Sequence, residues 1–254
     1  EPFMENNIET YGNRFVAFID ILGFKSIVEN TENDTSEYIR IKNVLNYIAR
    51  VRSDNYQGPL AKYGILKEIS VFSDSIVISY SQDISIGGSL FHILLDLIFL
   101  CLDLLNANIF VRGAVTHGKM YHDEKVCFGP AMIDAYQKEE KIAVYPRIII
   151  DAKAIEMGIK YHGQSNTAEW ECEYLANIIS QDKDGQFFLD YLSQIQEFDS
   201  TEAYINYMRR IKNYITMNLS KEYDSKIQEK YLWFAEYYNK ALTRVFDDPS
   251  DLLI

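Results

Sequence analysis

The stretch RFVAFIDILGFKSIVE, residues 14 to 29, constrains this chain most. Six of the seven residues from Phe15 to Ile21 are apolar, and the exception is Asp20. A nearly continuous apolar run, rather than an alternating one, reads as a strand buried on both faces. A carboxylate at its end must be paired, hydrogen-bonded, metal-bound or placed in a cleft, because burying it bare is costly.

The elements that follow define an order. Gly23 turns the chain into a helix, which resumes as TSEYIRIKNVLNYIARVR (35–52) with Thr35 or Ser36 as cap. NYQGPLAKYG (55–64) reads as a loop, and ILKEISVFSDSIVISYS (65–81) as a hairpin turning at Ser73-Asp74-Ser75. A long apolar helix spans about 87–106, and NIFVRGAVTHG (108–118) is a further strand. A second hairpin is expected around His122-Asp123-Glu124, then a helix from Pro130 and a strand within VYPRIIID (144–151). Strand, helix, strand, strand, helix, strand is the ferredoxin-like βαββαβ order of an α+β protein, with two helices on one face of a largely antiparallel sheet. Beyond 151 the pattern is helical, apart from a strand in DGQFFLDYL (184–192), and it closes on two tyrosine-rich helices. The organisation expected is a main domain over 1–192 with a helical extension, 193–254, packed on it.

Charge and cysteine usage exclude some functions. A net charge of −12 argues against nucleic-acid binding and makes a metal ion the natural bridge to any polyphosphate. Cys101, Cys127 and Cys172 form no CxxC pair, no secretory signal is visible, and Glu1-Pro2-Phe3 ahead of Met4 reads as a cloning remnant, so a reduced cytoplasmic setting is expected. The stretch 89–105 is short for a membrane span and holds His92, Asp96 and Asp103, so it reads as a buried or interface helix. His117, His122 and Cys127 have spacing poorly suited to zinc. The tyrosines of the C-terminus suit a core or dimer surface better than a base-stacking platform.

Within this order Asp20 acquires a partner. Asp74 sits at the turn between two strands, and neighbouring strands lie ~4.8 Å apart, so both carboxylates can reach one sheet edge. Such a pair suits Mg²⁺ or Mn²⁺. Gly23 and Phe24 follow at a helix start, where backbone N–H groups bind phosphate. Each half also has a plainer reading: Ser-Asp-Ser is ordinary turn chemistry, and Asp20 could cap the next helix.

These residues carry a resemblance. FIDILGF (18–24), SVFSDSIVIS (70–79) and VRGAVTHG (111–118) resemble, in order, the metal-binding motifs and phosphate-contacting strand of class III nucleotidyl cyclases. FGPAMIDAYQKEEKIAVYPRIIID (128–151) is similar to the pyrimidine cyclases of Pycsar antiphage systems. The resemblance implies that Asp20 and Asp74 bind two Mn²⁺ or Mg²⁺ ions, with the Ile21 carbonyl as a further ligand. It also implies that the Gly23 and Phe24 amides and Arg112 contact the phosphates. Purine cyclases of this class carry a base-reading Lys where this chain has Glu68, and an Asn and an Arg where it has Ile133 and Gln137. Arg147, Lys138 or Arg112 could replace the missing donors. The expectation is therefore a homodimeric cyclase with a site shared between subunits, the helix at 87–106 and the hairpin near 121–127 supplying the interface. It would convert UTP, ahead of CTP, to the 3′,5′-cyclic nucleotide and pyrophosphate, signalling to a separate cyclic-nucleotide-activated effector without nucleic acid or membrane. The alternatives are an ATP or GTP cyclase and a nucleotide-binding sensor without turnover.

Overall fold

The computed structural model describes residues 10–54, 67–83 and 87–254, so the loop expected at 55–64 lies outside the described residues. β1 (Gly12–Ile21) occupies the middle of the sheet, antiparallel to β3 (Ser75–Ser81) on one side and to β4 (Val111–His122) on the other. β2 (Lys67–Phe72) pairs with β3 as the expected hairpin. Between these strands lie α1 (Phe24–Thr31) with α2 (Thr35–Asp54), and α3 (Ser89–Asn106). The order β2-β3-β1-β4 is the ferredoxin-like arrangement read from the chain.

The sheet then grows beyond that core. β5 (Cys127–Phe128) folds back on the end of β4, α4 (Pro130–Lys141) crosses over, and β6 (Ile148–Ile150) pairs parallel to β4. After α5 (Ala152–Lys160) and α6 (Ala168–Ile178), β7 (Ile179–Gln181) and β8 (Phe187–Leu189) complete the edge. β7 follows α6 without a break, and three residues are too few to show a period, so it was not expected. The expected strand at 184–192 shrinks to β8. A single 3₁₀ turn at Ile195–Glu197 precedes α7 (Thr201–Leu219) and α8 (Ser225–Val245).

β1 is buried on both faces because its two faces meet different layers. Phe15, Ala17, Ile19 and Ile21 join the main core with Ile41, Val44 and Ile48 of α2 and the apolar side of α3. Val16 and Phe18 face the other way, onto Val77, Met120, and Ala131 and Ala135 of α4. Asp20 follows the even-numbered positions and therefore emerges on the α4 face.

Two expectations change here. The cap of α2 is Asp34, not Thr35 or Ser36, because its carboxylate accepts from the amides of both Ser36 (2.8 Å) and Glu37 (3.3 Å). α3 is long and apolar enough by length and composition to cross a membrane, yet eleven of its residues are buried in the core. Phe99 is its one large apolar side chain that is substantially exposed, so α3 offers no broad dimer face. Pro130 does open α4. The tyrosines of α7 and α8 enter the same core as β1: Tyr207 Oη donates to the Leu102 carbonyl (2.9 Å), and Tyr238 Oη to that of Met208 (3.0 Å). A phenol suits such sites because its ring buries apolar area while its hydroxyl satisfies a carbonyl.

Gly113 supplies a test of this packing. It sits between Ile19 of β1 and Ile148 of β6, and an added Cβ would come 2.7 Å from the Phe18 carbonyl oxygen, a backbone atom that cannot swing aside. Gly113→Ala is expected to cost about 1–3 kcal/mol, read as a lower urea midpoint. An unchanged midpoint would contradict the close strand approach.

Candidate functional site

Three neighbouring strands build the site. Ser75 of β3, Asp20 of β1 and Arg112 of β4 are register partners, so their side chains share one row on the α4 face. Ser75 Oγ donates to Asp20 Oδ1 (3.4 Å), and Arg112 Nη2 lies 3.9 Å from Asp20 Oδ2. Asp74 follows Ser73, whose φ of 58° turns the β2–β3 hairpin, and the Asp74 carbonyl accepts from the Ile21 amide at 3.1 Å. The two aspartates expected to converge are thus tied together through the backbone. Burial and then the negative charge of Asp74 push the Asp20 carboxyl above its ordinary pKa, against smaller opposing effects of Arg112 and Ser75.

Asp74 lies close enough for its charge to act on Asp20, and a cation between the two carboxylates would relieve that repulsion. Among the described residues no three or more His, Cys, Asp or Glu side chains cluster as a metal site. Two carboxylates and a carbonyl still fit Mg²⁺ or Mn²⁺, which bind through one or two carboxylates and take remaining ligands from substrate phosphates and water.

The turn after β1 is set by Gly23, at φ +72°, while the Leu22 amide donates to the Phe110 carbonyl at 2.9 Å. An added Cβ at Gly23 would meet nothing within 4 Å, so glycine answers a conformational need rather than a lack of space. The first bond of α1 runs from the Ile27 amide to the Gly23 carbonyl (3.0 Å), and the amides before it have no intrahelical acceptor. Phe24 packs its ring against the core, leaving its backbone for any ligand contact.

One residue of the site escaped the sequence reading. Glu139 of α4 is 2% exposed, and its Oε1 lies 2.5 Å from Arg112 Nε. The pair is a short buried ion pair whose N–H direction is not well aligned on the carboxylate oxygen. Burial pushes the Glu139 carboxyl up to about 7; Arg112 opposes this, and Asp20 adds to it. The signal was present in the helix: Ala131, Ala135 and Glu139 recur every four residues on the buried stripe of α4.

The structure does not bring every candidate to Asp20. Glu68 on β2 is the register partner of Ser79, and its charge acts on the buried Arg14, whose Nε donates to Ser79 Oγ (2.7 Å). Six residues separate Glu68 from Asp74, roughly 20 Å of strand, so within one chain Glu68 does not reach the Asp20 end. Arg147 is buried against Trp233 and Tyr145 and paired with Asp182 and Asp184, which makes it a structural ion pair. Lys138 bridges Asp134 (2.7 Å) and Asp151 (3.1 Å). Arg112 alone of the three proposed donors lies beside Asp20. Ile133 and Gln137 are exposed on the outer side of α4. His122 is held by Ser70 and Ser79 (3.0 and 2.7 Å) and His117 by Gln82 (2.8 Å), and neither joins a metal cluster among the described residues.

No protein-family model matches the chain, and no curated protein does. Among solved structures it is similar to the catalytic core of a rhodopsin-guanylyl cyclase with converted specificity in complex with ATPαS, at 15% identity and a TM-score of 0.42, covering 60% of this chain and 84% of that one. The guanylate cyclase domain of RhGC from Catenaria anguillulae in complex with GTP gives 17% identity and 0.40, covering 59% and 83%. The monomeric guanylyl cyclase domain of the RhoGC fusion protein from the aquatic fungus Blastocladiella emersonii gives 15% and 0.44, covering 71% and 95%. Likenesses this distant fix no function.

Glu139 makes stability depend on pH. Its pKa is raised in the fold, so between about 4.5 and about 7 the native state holds a proton that the unfolded chain has released. Stability therefore falls as pH rises through that window. Glu139→Gln stays neutral and lacks this decline. In metal-free urea unfolding the variant should gain on the wild type by on the order of 1 kcal/mol between pH 5 and pH 8. Parallel pH profiles for the two proteins would contradict the buried carboxyl.

Proposed function

We propose that this chain is a nucleotidyl cyclase acting on a pyrimidine nucleoside triphosphate, UTP ahead of CTP. The observation that carries the reading is the mutually repelling Asp20–Asp74 pair, set beside the Gly23 turn and Arg112. Asp20, Asp74 and the Ile21 carbonyl would hold two Mn²⁺ or Mg²⁺ ions, whose Lewis acidity serves the attacking hydroxyl and the departing phosphates. The amides of Gly23 and Phe24 orient the phosphate chain, and Arg112, ion-paired with Glu139, adds a positive charge to it. In the reaction the ribose 3′-oxygen bonds to the α-phosphorus, the bond from that phosphorus to the bridging oxygen breaks, and pyrophosphate leaves. The hydroxyl proton passes to solvent.

Pyrimidine preference draws its support from the motif resemblance and from Glu68 standing where purine cyclases carry a Lys. Since Glu68 lies far from Asp20 in its own chain, a base contact by it requires a second subunit. Exposed apolar side chains support such a homodimer on the α4 face: Ile133 and Tyr136 of α4, Val126 and Phe128 of the hairpin, and Phe72 at the end of β2. In this reading the cyclic pyrimidine nucleotide is a cytoplasmic messenger of antiphage defence, read by a separate effector.

Purified protein incubated with each of the four ribonucleoside triphosphates and Mn²⁺, with products read by mass, tests the reading. Cyclic UMP or cyclic CMP with pyrophosphate is expected. Turnover of ATP or GTP alone would replace the pyrimidine assignment with a purine cyclase, and no turnover would leave a nucleotide-binding sensor. Sedimentation should show a dimer at micromolar concentration, and Ile133→Asp should shift it toward monomer and lower turnover about tenfold. A monomer with full activity would contradict the shared site.

A further inference from the structure

A cavity of about 490 Å³ separates the Gly23 turn from the C-terminal helices. Leu22, Gly23 and Ser26 line it from the turn, and Lys221, just past the end of α7, and Lys230 of α8 line it from the C-terminal helices. Its volume lies within the ordinary range of small-molecule sites.

The charges in it are unusual for so acidic a chain. Among the described residues the one carboxylate in the lining is Glu37, already held by Arg40 through Nε (3.0 Å) and Nη2 (2.6 Å). Arg40 is itself fixed, because its Nη1 donates to the Ala107 carbonyl at 2.9 Å. Among the described residues Lys221 Nζ reaches only the neutral Asn218 Oδ1 (3.2 Å). Lys230 has no carboxylate within ion-pair distance among the described residues, although it is half-buried. Burial, and next the nearby charge of Arg112, hold its ammonium below the ordinary pKa, against the smaller opposing charge of Asp224. Lys221 and Lys230 line one cavity and neither forms an ion pair among the described residues, so an anion between them would neutralise both.

Position says which anion. Lys230 acts electrostatically on Arg112, Arg112 lies beside Asp20, and the unbonded amides at the start of α1 adjoin the same cavity. We infer that the C-terminal helices complete the substrate site, with Lys230, backed by Lys221, binding the outer phosphates of a nucleoside triphosphate beyond the Gly23 turn. This rests on the cyclase reading for the identity of the substrate, not for the anion site itself. Pyrophosphate then leaves through a cavity that α8 walls.

Inorganic tripolyphosphate, which carries the phosphates without a base or sugar, is the probe. Its binding is measured by calorimetry on the full chain, alongside KM and kcat for the nucleotide that turns over. Lys230→Gln should weaken tripolyphosphate binding and raise KM by about tenfold, with kcat changed far less. Lys221→Gln should do the same to a smaller extent. Lys160→Gln, exposed at the end of α5 and outside this lining, should leave binding and turnover unchanged, and thermal melts should match the wild type in all three. Tripolyphosphate binding by Lys230→Gln equal to the wild type would overturn the inference, as would cyclase turnover with an unchanged KM. If tripolyphosphate binding depends on Lys230 while no nucleotide is cyclised, the anion site stands and the cyclase reading falls.

Discussion

A strand covered on both faces can carry a charge only towards its ends or where a polar partner meets it, as Ser79 meets Arg14. β1 meets that constraint: its odd positions fill the core beneath α2 and α3, its even positions pack under α4, and Asp20 comes where cover runs out. Every further element of the site is measured from that point. β3 and β4 bracket Asp20 with Ser75 and Arg112, the Ile21 amide ties down Asp74, and Gly23 begins the turn that presents helix amides. The burial that stabilises the strand also raises the Asp20 carboxyl, so the same packing creates the demand for a cation.

The added elements serve this edge rather than decorate it. α4 closes one side and supplies Glu139, which faces the Arg112 guanidinium. α7 and α8 share the core of β1 through their tyrosines and, at the other end, wall the cavity next to Gly23. A C-terminal segment anchored in that way has its lysines placed by the fold, not by chance contact. Core and site are therefore coupled: loosening α8 would disturb both.

Legibility in the sequence followed the strength of each local signal. The apolar run of β1, the Ser-Asp-Ser turn and the strand with Arg112 were readable because buried strands and tight hairpins have strong, short-range patterns. β7 was not, since three residues carry no period. Glu139 was missed because a carboxylate in PAMIDAYQKEEKIA looks solvated until its helical stripe is counted against Ala131 and Ala135. Arg147 looked like a spare cation, and only the later Asp182 and Asp184 show it to be paired. α3 looked like an interface for want of knowing how much core lay above it. Lys230 lies 210 residues from Asp20, and no local pattern reports so distant a meeting.

Divalent-cation binding tests the central claim most directly, because it needs neither the right nucleotide nor a partner. Mn²⁺ titrations followed by electron paramagnetic resonance, on the wild type, Asp20→Asn and Asp74→Asn, isolate the paired carboxylates. The wild type should immobilise Mn²⁺, and each variant should weaken binding by at least about tenfold with an unchanged melting temperature. Binding in either variant equal to the wild type, or none in the wild type, would contradict the account.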